Sequence, residues 1–416
     1  MRKAILTVYF LLTSLAFGYV GSVNAATNPA PANVLPLTVH YSSAVTSPNI
    51  PTVSITLCVP GYTDAAHCQT IPDILVDTGA SGVRIVASVL NPALQKAFVP
   101  ETYSGKNVAE CLQYVNSSVW GSVSKADIWL GTDPTQGTPP ANAQYGNGVP
   151  FQLIGGSGLP AAPSQCSNIQ DTVAAFGSNG TIGVSPATLD GELLYYTCSS
   201  TSCARAQLPS SSQVPNPVVR LPADNNGVVL QINALGSGNA QASGSGNLIL
   251  GIGTETNNKL AASTTIAYTN STYGMNDIKL QVGTNKATTF AASSDNYDAF
   301  DSGTNDLSLG VVSGLASGSC NDEFTPADCP AQPTNVSMMV TDGKGTSSTG
   351  YAFTVASYSD TTINKDAALS QLADHGGYML IGFPYFYGKT LYFAIEGASV
   401  SSADGQSALV GPFNGL

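Results

Sequence analysis

Apolar and polar residues alternate through Val53-Ser54-Ile55-Thr56-Leu57, and this period of two predicts a half-buried strand. Ile71 to Val76 predicts a second strand, running directly into Asp77-Thr78-Gly79-Ala80, residues that favour a tight turn. The two strands are expected to form a hairpin that delivers Asp77 to that turn. Tyr114 to Gly131 predicts a further hairpin with aromatic and aliphatic residues inward, and Thr181-Ile182-Gly183-Val184 a short apolar segment ended by Ser185-Pro186.

A Pro-, Ser- and Asn-rich stretch from Leu208 to Asn226 marks the connection between two halves. Beyond it the order of the first half recurs. Asn247-Leu248-Ile249-Leu250 and Ile278-Lys279-Leu280-Gln281-Val282 are strand-like, Asn296 to Phe300 lead into Asp301-Ser302-Gly303-Thr304, and Tyr378-Met379-Leu380-Ile381-Gly382 follows. Recurring order with weak residue identity points to an internal duplication. The expected organisation is a signal peptide at residues 1–25, an N-terminal lobe at 26–225 and a C-terminal lobe at 226–416.

The signal peptide reading rests on Arg2 and Lys3, the apolar run Ala4 to Val20, and small residues at Val23-Asn24-Ala25. Export to the periplasm or the extracellular space follows, with no later stretch apolar enough to span a bilayer. Removing Arg2 and Lys3 takes the net charge from -12 to -14, which excludes nucleic acid and anionic membranes as expected partners. Charged residues are only 10% of the chain while Gly, Ser, Thr and Asn abound, a composition that suits a mainly β protein with polar loops. The eight cysteines of an exported chain are expected as disulfides: Cys58–Cys68, Cys198–Cys203 and Cys320–Cys329 close short loops and leave Cys111–Cys166. With three histidines in the chain, no zinc site or other cofactor is expected. Trp120 and Trp129 are expected in core packing.

Hydrolysis of a peptide bond by water needs a base for the water and an acid for the carbonyl oxygen and the leaving amine. Two carboxyl groups about 3 Å apart supply both, because they cannot both ionise cheaply and share one proton. Asp77 and Asp301 are the candidates. Gly79 and Gly303 permit close backbone approach, while Thr78 and Ser302 offer hydroxyls that can reach across to the opposite lobe.

Asp77-Thr78-Gly79-Ala80-Ser81 and Asp301-Ser302-Gly303-Thr304 resemble the two active-site motifs of the pepsin-like aspartic proteases. Asn179 to Pro186 and Leu380 to Phe386 resemble the segments that back them, and Tyr114, Gly121, Asp127 and Gly131 match the spacing of the flap hairpin. In finer detail the chain resembles a family of bacterial exported proteins built on these motifs. The resemblance implies a two-lobed β-barrel fold with a cleft between lobes, a catalytic pair Asp77 and Asp301, and a peptide or protein substrate under the flap. It implies that Ser81 braces the Asp77 carboxylate, that Ser302, Gly303 and Thr304 support Asp301, that Tyr114 shapes the substrate pocket, and that the protein is a monomer. Where such enzymes usually carry a Trp seven residues after the first acid, this chain has Arg84, expected to stand with Tyr114 among the flap and substrate-binding residues, to bond Tyr114 and to lower the acids' pKa values. Val115 and Ser117 replace the glycines after the flap Tyr. The alternative is a catalytically silent relative that binds a peptide, glycan or partner protein in its cleft.

Overall fold

Along β1 (Val34–Ser42), Leu35, Leu37 and Val39 point inward while Pro36 and Thr38 face solvent, the period of a strand with one covered face. β2 (Ser47–Cys58) is buried along nearly its whole length, because β1, β3 (Cys68–Asp77) and β6 (Ser118–Leu130) all pair with it. The computed structural model describes residues 31–115, 117–191, 194–236, 238–269, 276–291, 299–315, 328–358, 365–376 and 379–416. The expected signal peptide lies outside them. Ala32 to Leu416 form one compact unit, mainly β.

The first half adds β4 (Ser81–Val86), β5 (Lys106–Gln113), β7 (Gln144–Ile154), β8 (Gly180–Val184) and β9 (Leu194–Cys198). The expected hairpin is β2 and β3, with Ile55 opposite Ile71 and the Cys58–Cys68 disulfide closing its loop. The second hairpin differs from expectation. Its strands are β5 and β6, with Gln113 opposite Ser118, so Tyr114 stands at the tip and does not open a strand. The strands β2, β3, β8, β4, β7 and β6 follow one another and close through β6–β2 into a barrel of six.

The second half supplies β10 (Gly227–Ile232), β11 (Gly244–Leu250), β12 (Ala299–Phe300), β13 (Leu307–Ser308), β14 (Ala373–Asp374), β15 (Leu380–Ile381) and β16 (Thr390–Ala394). β1 pairs with β11, which joins the barrel to the β11–β10–β16 sheet without a break. The duplication expected from motif order is present in the topology. β3 runs parallel to β8, β8 antiparallel to β4, and β4 parallel to β7. β12, β15, β13 and β14 repeat that sequence of orientations around the second Asp turn.

The main hydrophobic cluster takes Val76, Phe151 and Ile182 from the first half together with Phe300, Ile381 and Phe383 from the second. Trp120 and Trp129 are buried as expected, the first edge-on to Tyr196 and the second stacked 4.0 Å from Tyr145. The Cys111–Cys166 and Cys198–Cys203 disulfides are formed. Cys320 of the fourth expected pair lies outside the described residues, and Cys329 is disulfide-bonded. Among the described residues, no helix is long and apolar enough to cross a membrane.

Candidate active site

Each Asp turn begins where an apolar strand ends. Asp77 is the last residue of β3 and faces Gly183 of β8, while Asp301 follows β12 and donates its N–H to the Ile381 carbonyl of β15 at 3.0 Å. The backing glycines are needed for contact. A Cβ on Gly183 would sit 2.7 Å from the Ala80 carbonyl oxygen, and one on Gly382 would run into the Asp306 carbonyl. Backbone this close to the turns leaves no room for a side chain.

The two turns hold each other reciprocally. The Thr78 hydroxyl donates to the Phe300 carbonyl at 2.8 Å and accepts from the Ser302 N–H at 2.9 Å. The Ser302 hydroxyl donates to the Val76 carbonyl at 2.7 Å and accepts from the Thr78 N–H at 3.1 Å. Each hydroxyl thus reaches the carbonyl just before the other turn's Asp. Thr78 is 1% exposed and Ser302 0%, so these bonds form away from competing water.

That brace brings the carboxyl groups together across the two glycines. A Cβ on Gly79 would lie 2.7 Å from Asp301 Cγ, and one on Gly303 would lie 2.8 Å from Asp77 Cγ. Asp77 Oδ1 accepts from the N–H groups of Gly79 at 2.8 Å and Ala80 at 3.0 Å. Asp301 Oδ1 accepts from the Gly303 N–H at 2.8 Å, and its Oδ2 from the Thr304 hydroxyl at 2.7 Å. Burial, and then the adjacent Asp301 charge, push the Asp77 carboxyl well above the ordinary range, against the pull of the two N–H donors.

Two cavities of about 410 and 310 Å³ flank the pair, and both are lined by Asp77, Asp301, Tyr114 and Val115. Ile50, Leu75 and Phe176 give the larger one apolar walls. Leu112, Leu189 and Leu380 do the same for the smaller. The tip of the β5–β6 hairpin, through Tyr114 and Val115, therefore lines both cavities together with the acids. The Tyr114 hydroxyl is buried without a hydrogen-bond partner, and burial raises its pKa.

Two site expectations are corrected. The Ser81 hydroxyl does not brace Asp77: it pairs with the Ser185 hydroxyl at 2.7 Å and donates to the Ala187 carbonyl at 3.0 Å, while backbone N–H groups serve the carboxylate. Arg84 is neither a substrate contact nor the partner of Tyr114. Its side chain is 0% exposed and is engaged by Glu110 at 2.7 Å and Asp190 at 2.9 Å. Burial opposes the Arg84 charge, but the two carboxyl groups outweigh it and raise the guanidinium pKa. The chief causes of the Asp77 shift are burial, Asp301 and the N–H donors of Gly79 and Ala80, and Arg84 is not one of them.

Further acids, marked by no motif in the sequence, lie near the second turn. Ser308 stands seven residues after Asp301, as Arg84 does after Asp77, and lies in register with Asp374. Asp328 is raised to about 6 by burial, with His375 opposing and Asp374 adding to the shift. Among the described residues, no group of three or more His, Cys, Asp or Glu is disposed to hold a metal ion.

No curated protein matches the chain. Residues 29–413 match the model of the family described as Protein of unknown function (DUF3443), and with nearly its whole length covered the chain belongs to that family.

Proposed function

We propose that this chain is an aspartic-type endopeptidase with a pepsin-like two-lobed fold, exported, which hydrolyses peptide bonds with a water activated by Asp77 and Asp301. The reciprocal hydroxyl brace between the two Asp turns carries this reading. A solitary Asp turn has no use for a cross-brace, whereas a carboxyl pair that must hold its separation does. The pair keeps one proton, because burial and mutual repulsion disfavour the doubly ionised state. One carboxyl then takes a proton from the water while its partner gives one to the carbonyl oxygen, and the exchange reverses as the amine leaves.

The cavities on either side of the pair fit an extended chain with apolar side chains flanking the cleaved bond. The disulfides Cys58–Cys68, Cys111–Cys166 and Cys198–Cys203 suit an oxidising compartment outside the cytoplasm. A second reading, binding of a peptide or glycan without turnover, draws on Val115 and Ser117 at the flap tip, where glycines would let the hairpin flex more freely.

Incubating the mature chain with an unfolded protein substrate from acidic to neutral pH, with and without pepstatin, separates the two. Cleavage that pepstatin blocks supports the enzyme. A folded protein that binds pepstatin and cleaves nothing supports the second reading and overturns the first.

A further inference from the structure

Beneath the flap lies a group of buried charges that the proposed hydrolysis does not use. Arg84 of β4 sends Nη1 to the Ser81 carbonyl at 2.7 Å, within the segment that follows Asp77. Its Nη2 donates to Glu110 Oε1 at 2.7 Å and to Asp190 Oδ2 at 2.9 Å. Glu110 lies in flap strand β5, and Asp190 in the loop that walls the smaller cavity. One guanidinium therefore ties together the catalytic turn, the flap strand and the cavity wall.

The surroundings fix all three members. Tyr195 of β9 donates its hydroxyl to Asp190 Oδ2 at 2.6 Å and accepts from the Val214 N–H at 2.8 Å. Gln152 of β7 donates to the Glu110 backbone carbonyl at 2.8 Å. The side chains of Arg84, Glu110 and Asp190 are 0–1% exposed.

The charges do not balance as they stand. Two carboxyl groups face a single cation, and the other ionisable groups turned toward them, Tyr195 and the flap-tip Tyr114, are neutral phenols. An uncompensated charge in such a place is strongly unfavourable. Glu110 Oε2 and Asp190 Oδ1 are moreover buried with no hydrogen-bond donor. A single proton held between the carboxyl groups removes the excess charge and relieves the unpartnered oxygens together.

We propose that Arg84, Glu110 and Asp190 are positioning residues whose two carboxyl groups hold one proton between them, and that this proton keeps flap strand β5 fastened to the Asp77 turn. The consequence for the cleft rests on the proposed endopeptidase reading. The shared proton and the fastening of β5 do not. Burial, then repulsion from Glu110, raise the Asp190 carboxyl well above the ordinary range, which agrees with a retained proton. A carboxyl raised in the folded state holds its strand in acid and releases it as pH climbs through the raised value. Two carboxylates would then compete for one guanidinium. Leu112, Gln113 and Tyr114, which follow Glu110 in the same hairpin and line the smaller cavity, would shift with it.

Two measurements independent of proteolysis test this. The first is infrared spectroscopy in an Asp77→Asn background, which removes the proton of the catalytic pair. Adding Asp190→Asn is expected to remove one protonated-carboxyl band at a pH where ordinary carboxylates are ionised, and Glu110→Gln serves if that variant does not fold. An unchanged band in both overturns the shared proton. The second is hydrogen exchange along 106–113, corrected for the intrinsic pH dependence of exchange. Wild type should lose protection about tenfold or more on the alkaline side, Asp190→Asn should show no such pH dependence, and Arg84→Lys should retain more protection than Arg84→Ala. Equal profiles for wild type and Asp190→Asn overturn the fastening role. If the protein cleaves no peptide yet passes both tests, the endopeptidase reading fails and the triad stands.

Discussion

Replacing Thr78 with Val isolates the brace between the Asp turns, since the side chains are nearly the same size and only the hydroxyl is lost. That hydroxyl makes two bonds of 2.8 and 2.9 Å, and its removal strands the Phe300 carbonyl and the Ser302 N–H in a region closed to water. Each stranded group costs about 1–3 kcal/mol, so the variant should lose about 2–4 kcal/mol of stability after partial relaxation. Chemical denaturation with unchanged m-value measures this directly. Ser302→Ala should lose a comparable amount through the Val76 carbonyl and the Thr78 N–H. Because both variants open the same cross-link, the double variant should fall short of their sum by about 0.5 kcal/mol or more. As a contrast, Thr354→Val removes an exposed hydroxyl bond to Asn335 and should cost under about 0.5 kcal/mol. A Thr78→Val variant as stable as wild type, or strict additivity with Ser302→Ala, would refute the reciprocal brace.

Three further outcomes are expected. Gly303→Ala places a methyl group 2.8 Å from Asp77 Cγ and should separate the carboxyl groups, lowering kcat/KM by about a hundredfold or more while the far-ultraviolet circular dichroism keeps its β signature; a fully active variant would contradict the contact. Opening Cys111–Cys166, which closes a separation of 55 residues, should cost about 4 kcal/mol against about 2 for Cys198–Cys203 with a separation of 5, as thermal unfolding of the paired Cys→Ala variants can show. Cleavage should peak in acid and decline as pH rises through the elevated Asp77 value, because the pair works only while it keeps its proton and an ordinary Asp releases one near about 3.9. A kcat/KM profile that keeps climbing into alkali would be inconsistent with a shared proton.

The turns themselves were legible because their requirements are local. Thr78 and Ser302 sit one residue after each acid, Gly79 and Gly303 two after, and the apolar strand precedes them, so motif and geometry coincide in sequence. The strand before the flap was not legible. Val108 to Leu112 is buried on both faces and includes Glu110 and Cys111, so β5 shows no alternation and carries an acid at a core position. Only an explanation for a buried Glu would have exposed it, and its partner Arg84 is 26 residues away. Distance in sequence likewise hid the Arg84–Asp190 pair, 106 residues apart. A lone Arg near an active-site motif invites assignment to the cleft, whereas its carboxyl partners draw it into the interior. Around the second Asp turn the described strand residues are Ala299–Phe300 and Leu380–Ile381, and the Leu-Ile-Gly segment marked it only through its likeness to the first half.

The most direct test of peptide hydrolysis by Asp77 and Asp301 is digestion of a peptide substrate in water labelled with oxygen-18, followed by mass spectrometry of the fragments. Wild type should place one labelled oxygen in each newly formed carboxyl group, with cleavage by Asp77→Asn or Asp301→Asn reduced about a thousandfold or more. A folded wild-type chain that yields no labelled fragments at any pH, or an Asp77→Asn variant that cleaves as well as wild type, would contradict the assignment.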